Sequence, residues 1–363
     1  RQRQLAQAGA VVVFTGDLPR DVPGLGGLDG RRARLRADLA ALGPGQRLGK
    51  DVRSWVVGKG RFLLAPGTAA GLAVAGVRRE RIADVGISVL RQRAPGSAAD
   101  SESSLGGTGH LYFLANLGAR AFEGWAPLAR PAAAALVMDA LSGQVGLGTI
   151  KPARPSGVEI FLSLAPGQSL LVRTLTRPPA RPLPRWPWPA PGGVVVPLPG
   201  PWQVRFLSGG PTLPAPIAAD GPVPWTTQAD PALRAFSGTA VYQTQFTLPR
   251  LPDEHQRLVL EIGGVHAVAS VRLNGQAAGL LWSLPFHLDV TIHLRAGTNV
   301  LEIEVSNLPA NRVAAQARAG VPRVRYHDID FVDMRYRPFD PAGWAPVPSG
   351  ISGPAQLRIV TSR

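Results

Sequence analysis

Between residues 241 and 305, apolar side chains recur at every second position, in short runs separated by turn residues. Tyr242, Thr244, Phe246 and Leu248 share one face of "VYQTQFTL". Leu258, Leu260 and Ile262 share one face of "LVLEI", and Ala269, Val271 and Leu273 one face of "AVASVRL". In "FHLDVTIHL" (286–294) the pattern predicts an unbroken strand with Phe286, Leu288, Val290, Ile292 and Leu294 inward. In "VLEIEV" it predicts Leu301, Ile303 and Val305 inward. A period of two with one apolar face is the signature of half-buried strands. Asn274-Gly275, between two such runs, predicts a tight hairpin turn with positive φ at both residues. The region therefore reads as an antiparallel sandwich.

Upstream the pattern changes. Val11–Phe14 and Phe62–Ala65 are short continuous apolar runs, as in strands buried on both faces. A helix around 31–42 lies between them, with Leu35, Leu39 and Leu42 at helical spacing and "RRARLR" on its wet face. Two strands and a helix are less than a complete α/β domain, so the chain is expected to begin mid-domain, as the C-terminal piece of a longer protein. From about residue 80 the period is again two. "HLYFLANLG" (110–118) alternates, "MDALSGQVG" turns at Ser142-Gly143, and "VEIFLSLAPGQSLLVRTL" is a strand, a Pro-Gly turn and a strand. These runs predict a small β-sandwich. "RPPARPLPRWPWPAPGG" (177–193) is a Pro-rich, semi-rigid connector. Its Trp186 and Trp188 either stack on a sugar or, the favoured expectation, pin the connector to a neighbouring domain. The fold class is thus mainly β. It comprises a partial α/β domain (1–78), a small sandwich (79–176), the connector (177–193) and a final antiparallel sandwich (194–363).

Composition agrees: 363 residues with 42 Gly and 36 Pro suit a turn-rich protein of two or three domains. The net charge is +15, carried almost wholly by arginine; the lysines are Lys50, Lys59 and Lys151. The arginines are scattered and no basic-aromatic reader motif appears, so nucleic acid is not an expected partner. No apolar run is long enough to span a bilayer. The absence of cysteine excludes disulfides, thiolate metal sites and cysteine nucleophiles, and leaves the compartment open.

Little in the chain carries chemistry of its own. "GKG" (58–60) lacks the phosphate-loop spacing. Ser237 lacks the setting of a nucleophile elbow. His287 and His293 would lie about 20 Å apart in an extended strand, too far for one metal ion. His266 falls in a turn. Glu302 and Glu304 share an outward face and read as a solvated edge.

Three segments carry a resemblance. "FSGTAVYQTQFTLP" (236–249), "VRLNGQAAGLLWSLPFHLDVTIHLRAGTNVLEIEVSN" (271–307) and "PSGISGPAQLRI" (348–359) resemble the sugar-binding jelly roll of family-2-type glycoside hydrolases. More narrowly, they are similar to the C-terminal region of the large α-L-rhamnosidases of glycoside hydrolase family 106. Residues 111–128 and 164–175 look like the β-domain before that jelly roll. "LAQAGAVVVFTGDLP" and "GKGRFLLAPG" look like the end of an amidotransferase-like α/β domain. Residues 324–350 depart from the rhamnosidase pattern and fit a related branch. The resemblance implies a (β/α)₈ catalytic barrel nearer the N-terminus, holding the acid and base of an inverting hydrolysis. No catalytic residue is carried over to this chain. A periplasmic or secreted parent protein is implied, with any signal peptide outside this chain.

Under that resemblance a sugar site needs an aromatic face and fixed polar groups. Trp282, Tyr326, His327, Asp328, Asp330 and Trp344 supply those types; they either contact sugar or seal the interface with the barrel. No cofactor is expected. Asp328 and Asp330, with Asp333, are the one place for a structural Ca²⁺, at a generic spacing. The expected partners are a glycan and the barrel of the same protein. The alternatives are a stand-alone carbohydrate-binding or adhesion protein and, more remotely, a chain that hydrolyses glycosides itself.

Overall fold

The computed structural model describes residues 1–49, 51–94, 107, 109–154, 156–188, 193–322 and 340–361. The chain divides into two compact units, residues 1–81 with 127–130, and residues 82–126 with 131–363. The structure is mainly β, with an α/β unit followed by two layered β assemblies.

The first unit holds α1 (Gln2–Gln7), β1 (Val11–Thr15), α2 (Leu28–Ala40), β2 (Gln46–Leu48), β3 (Val52–Val57), β4 (Gly60–Ala65) and α3 (Thr68–Val74). Its sheet runs β1-β4-β3-β2, with β1 parallel to β4 and the other pairs antiparallel. The sequence pattern reads two strands with a helix between them; the described residues of this unit form four strands and three helices. β3 escaped notice because its burial follows no clean period, and α3 is short. Each face of the sheet is covered, as a sheet with buried parallel strands requires. Ala6 packs with Trp55, Val57 and Phe62 on one side, and Ala70 and Val74 of α3 with Leu63 and Ala65 on the other. An ion pair between Arg32 and Asp21 ties α2 to the preceding loop at 2.7 Å.

The second unit begins with β5 (Ser88–Arg93), β6 (His110–Ala115), β7 (Phe122–Leu128), β8 (Ala134–Met138), β9 (Val145–Gly148), β10 (Ile150–Pro152), β11 (Val158–Leu164) and β12 (Ser169–Leu175). They form a five-stranded sheet, β5-β6-β12-β8-β9, and a three-stranded sheet, β10-β11-β7. β8 and β9 make the hairpin expected around Ser142-Gly143, where Gly143 has φ 72. β11 and β12 flank the Pro166-Gly167 turn but belong to different sheets, so the turn joins two layers rather than two paired strands. Both strands alternate, and alternation alone does not distinguish a hairpin from an arch. The connector docks here: Trp186 N–H donates to the Leu147 carbonyl at 2.8 Å. Trp186 and Trp188 are buried, and Trp188 meets Phe161 edge-on at 6.0 Å. The tryptophans pin the connector, as the sequence suggested.

The jelly roll follows, with β13 (Val195–Pro197), β14 (Trp202–Gly210), β15 (Ile217–Ala219), α4 (Pro231–Ala235), β16 (Ser237–Leu248), β17 (Gln256–His266), β18 (Val268–Leu273), β19 (Gln276–Leu281), β20 (His287–Asp289), β21 (Gly297–Ser306), α5 (Ala310–Arg318) and β22 (Gly350–Thr361). One sheet runs β13-β22-β17-β20 and the other β15-β14-β16-β21-β18-β19. Every apolar inward residue named above for β16, β17, β18 and β21 lines the space between the sheets, and Thr244 is buried with its hydroxyl donating to the Pro201 carbonyl. Trp202, Trp225, Phe206, Phe236 and Tyr242 fill one part of that core with edge-on and stacked rings.

The run 286–294 does not form one strand. β20 ends at Asp289, and a 3₁₀ turn takes Thr291–His293. Asp289 Oδ1 accepts from Thr291 N–H at 3.1 Å and from its hydroxyl at 2.6 Å. This local side-chain turn out-competes the ladder and leaves Ile292 86% exposed. His266, expected in a turn, ends β17. Among the described residues no helix is long and apolar enough to cross a membrane.

Candidate functional site

The Asn-Gly turn has positive φ at both residues, 53° and 81°. Asn274 also welds it to the neighbouring loop. Its Nδ2 donates to the His293 carbonyl at 2.9 Å and to Asn299 Oδ1 at 2.8 Å, while its Oδ1 accepts from Val300 N–H at 3.0 Å. Asn299 is fully buried and in turn bridges Arg295 and Gly297. The register Ala269↔Leu281 then places Trp282 at the far end of the hairpin from its turn.

Trp282 is 58% exposed, with Leu280 and Leu284 exposed beside it. The loop is not free on every side. Leu284 packs over Gly167 in the small sandwich, where a Cβ would lie 2.5 Å from the Leu284 Cβ. The loop thus braces one β assembly against the other and leaves its indole open.

Trp344 is held differently. Arg318, at the end of α5, donates Nε to the Ala342 carbonyl at 2.9 Å and Nη2 to the Trp344 carbonyl at 2.7 Å. Asn311 exchanges two hydrogen bonds with the Val347 backbone, and Asn307 donates to Ser349 Oγ. α5 packs on α4 and β16, whereas Trp282 leaves from β19, three strands away. No ring contact joins the two tryptophans. Tyr326, His327, Asp328 and Asp330, with Asp333, lie outside the described residues. Among the described residues no group of three or more His, Asp or Glu side chains is placed to hold a metal ion.

Both outer sheet faces carry charge, arranged in opposite ways. On the four-stranded sheet, Glu261 takes a two-pronged contact from Arg358, Nε to Oε1 at 2.7 Å and Nη2 to Oε2 at 2.9 Å. Gln356 adds a bond of 2.7 Å. Burial by itself would raise the Glu261 carboxyl, but the bonds from Arg358 and Gln356 outweigh it and hold the group below the usual carboxylate range.

On the six-stranded sheet, Arg205, Leu207, Val241, Arg272, Glu302 and Glu304 line a shallow concavity of about 290 Å³. The sequence put Glu302 and Glu304 on an outward face correctly but read that face as an edge. β21 is flanked by β16 and β18, so the two carboxylates stand in the middle of the sheet. Strand order, which alternation does not encode, made the difference.

His266 Nε2 lies 2.9 Å from Ser352 Oγ, and burial lowers the ring's pKa. Among the described residues no carboxylate bonds to the ring, so there the pair lacks the orienting third member of a nucleophile–base system.

Two antiparallel layers closing on one apolar core, with short helices and polar loops at their margins, define a jelly-roll β-sandwich. Residues 224–348 match the family described as glycosyl hydrolase 2 galactose-binding domain-like. A "Putative beta-glucuronidase" of Formosa agariphila is 38% identical over 117 residues, 32% of this chain and 10% of that protein. The solved rhamnosidase of Novosphingobium sp. PP1Y aligns with 99% of this chain and 32% of its own, at 23% identity and a TM-score of 0.65, a likeness of fold. A Bifidobacterium dentium β-glucuronidase covers 48% of this chain and 31% of its own at 26% identity, with a TM-score of only 0.32. The chain therefore spans about a tenth of its curated relative and a third of the rhamnosidase. Residues 224–348 are thus similar to a glycosyl hydrolase 2-type galactose-binding-like domain.

Proposed function

We propose that this chain is the non-catalytic accessory portion of a glycoside hydrolase acting on rhamnose-containing or related glycans. It braces a catalytic barrel encoded nearer the N-terminus and contributes contacts to the glycan. The observation that carries this reading is the match of residues 224–348 to the galactose-binding-like family, lying on a complete two-layered sandwich. The likeness of fold to a rhamnosidase along nearly the whole chain supports it. Glycosidase carboxylates straddle a substrate at about 5–10 Å across a cleft. Glu302 and Glu304, neighbours on one open sheet face, do not meet that need. Trp282 and Trp344 offer exposed indole faces to a sugar ring or to the barrel, and Tyr326, His327, Asp328 and Asp330 are the proposed polar contributors.

The test is a paired assay. The isolated chain is expected to leave aryl α-L-rhamnoside and aryl β-D-glucuronide intact, while retarding on polysaccharide-loaded gels. Hydrolysis by the chain alone would overturn the accessory role, and no retardation on any glycan would overturn the sugar contact.

A further inference from the structure

The two outer faces of the jelly roll treat their carboxylates in opposite ways. Glu261 is fully satisfied by its sheet neighbours. Glu302 and Glu304 have no hydrogen bond or ion pair among the described residues, although Arg272 stands directly across from Glu302 in the ladder. One N–H of Arg272 is taken up by the turn instead, Nη2 donating to the Gly275 carbonyl at 2.6 Å, while the residue still lines the concavity. Arg205 has no hydrogen bond or ion pair among the described residues. A face that brings opposite charges to adjacent strands and leaves them unpaired keeps its hydrogen-bonding capacity for something else.

Register fixes the layout. One row across the sheet reads Arg205, Val241, Glu304 and Ser270; the next reads Gln203, Gln243, Glu302 and Arg272. Glu302 and Glu304 are about 7 Å apart at Cα along β21, with Arg272 on the neighbouring strand on one side and Arg205 two strands away on the other. Val241, only 6% exposed although outward-facing, makes an apolar floor, and Leu207 an apolar flank. Two positive and two negative groups leave no net charge. An occupant that donates to carboxylates, accepts from guanidiniums and lays an apolar C–H face on Val241 is a polyhydroxylated ring. The volume of about 290 Å³ is at the small end for a ligand site, which suits one or two such rings.

We propose that this concavity on the outer face of the six-stranded sheet binds a neutral saccharide, with Glu302 and Glu304 accepting from vicinal hydroxyls and Arg205 and Arg272 donating to their oxygens. The proposal rests on the glycan reading above and gives it a second contact surface, apart from the Trp282 loop.

Calorimetric titration of the chain with galactose, glucose, mannose and L-rhamnose, and with disaccharides of each, tests it. The parent chain is expected to bind at least one, with an affinity that changes little with ionic strength. The double variant Glu302→Ala/Glu304→Ala is expected to bind at least tenfold more weakly, since each lost charged hydrogen bond is worth a factor of ten or more. Arg205→Ala, an exposed site, gives the same direction should the double variant fail to fold, and circular dichroism melts report folding in each case. Weakening by Trp282→Ala with the face variants at parental affinity would overturn the groove and leave the glycan reading standing. No binding by the parent chain would overturn both. Dimers in sedimentation that the face variants dissociate would assign the groove to a second copy of the chain.

Discussion

Replacing Asn274 by Ala probes how the hairpin is held. The substitution removes three side-chain hydrogen bonds, to His293, Asn299 and Val300. At about 1 kcal/mol net for each, their loss costs roughly 3 kcal/mol. Alanine at φ 53° adds about 1 kcal/mol, because asparagine tolerates the left-handed region better. The expected destabilisation of the jelly roll is therefore about 4 kcal/mol. With a urea m-value of about 2–3 kcal/mol/M, the midpoint falls by roughly 1.5 M. Asn299→Ala acts on the same network, since Asn299 accepts from Asn274 and bridges the Arg295 loop. The two substitutions should be coupled by about 1 kcal/mol or more, the double variant losing less than the sum. Urea unfolding of the parent and the three variants, followed by tryptophan fluorescence, measures both quantities. Additivity within about 0.5 kcal/mol, or a loss on Asn274→Ala below about 1 kcal/mol, would refute the claim that this asparagine pair holds the turn to the sandwich.

Two more outcomes follow from the same packing. Gly350 has φ 103°, and an added Cβ would overlap the Tyr242 hydroxyl and lie 2.9 Å from Trp225; Gly350→Ala should cost about 3 kcal/mol or more from strain and overpacking. The cost should be smaller in a Tyr242→Phe background, and equal cost in both backgrounds, read by denaturant unfolding, would show that the hydroxyl is not what excludes the methyl group. The lowered Glu261 pKa stabilises the fold above the ordinary carboxylate value of 4.5, and that contribution is lost as pH falls through the lower folded value. Melting midpoints of the parent and Glu261→Gln should thus differ at pH 7 and converge in acid, and a gap that persists or widens in acid would contradict the sign.

Legibility in the sequence followed the range of the interactions. The inward faces of β16, β17, β18 and β21 were readable because a period of two is local and one face must leave water. The Asn-Gly turn was readable because positive φ restricts residue type. The break at Asp289 was missed, since the apolar pattern continues through Ile292 while a side-chain hydrogen bond decides the geometry. The face at Glu302 and Glu304 was half-read: outward orientation is local, but centrality in the sheet depends on β16 and β18 arriving on either side.

The sequence by itself determined which faces of β16, β17, β18 and β21 would be buried and where the Asn274-Gly275 hairpin would turn, and it pointed to Trp186 and Trp188 as anchors of the connector. Only the tertiary structure decided that β11 and β12 join different sheets, that Leu284 rests on Gly167, and that Arg272 faces Glu302 without pairing to it. The first set depends on periodicity and backbone sterics within a few residues. The second depends on pairing between segments distant in the chain, where many arrangements satisfy the same alternation and packing of the whole selects one.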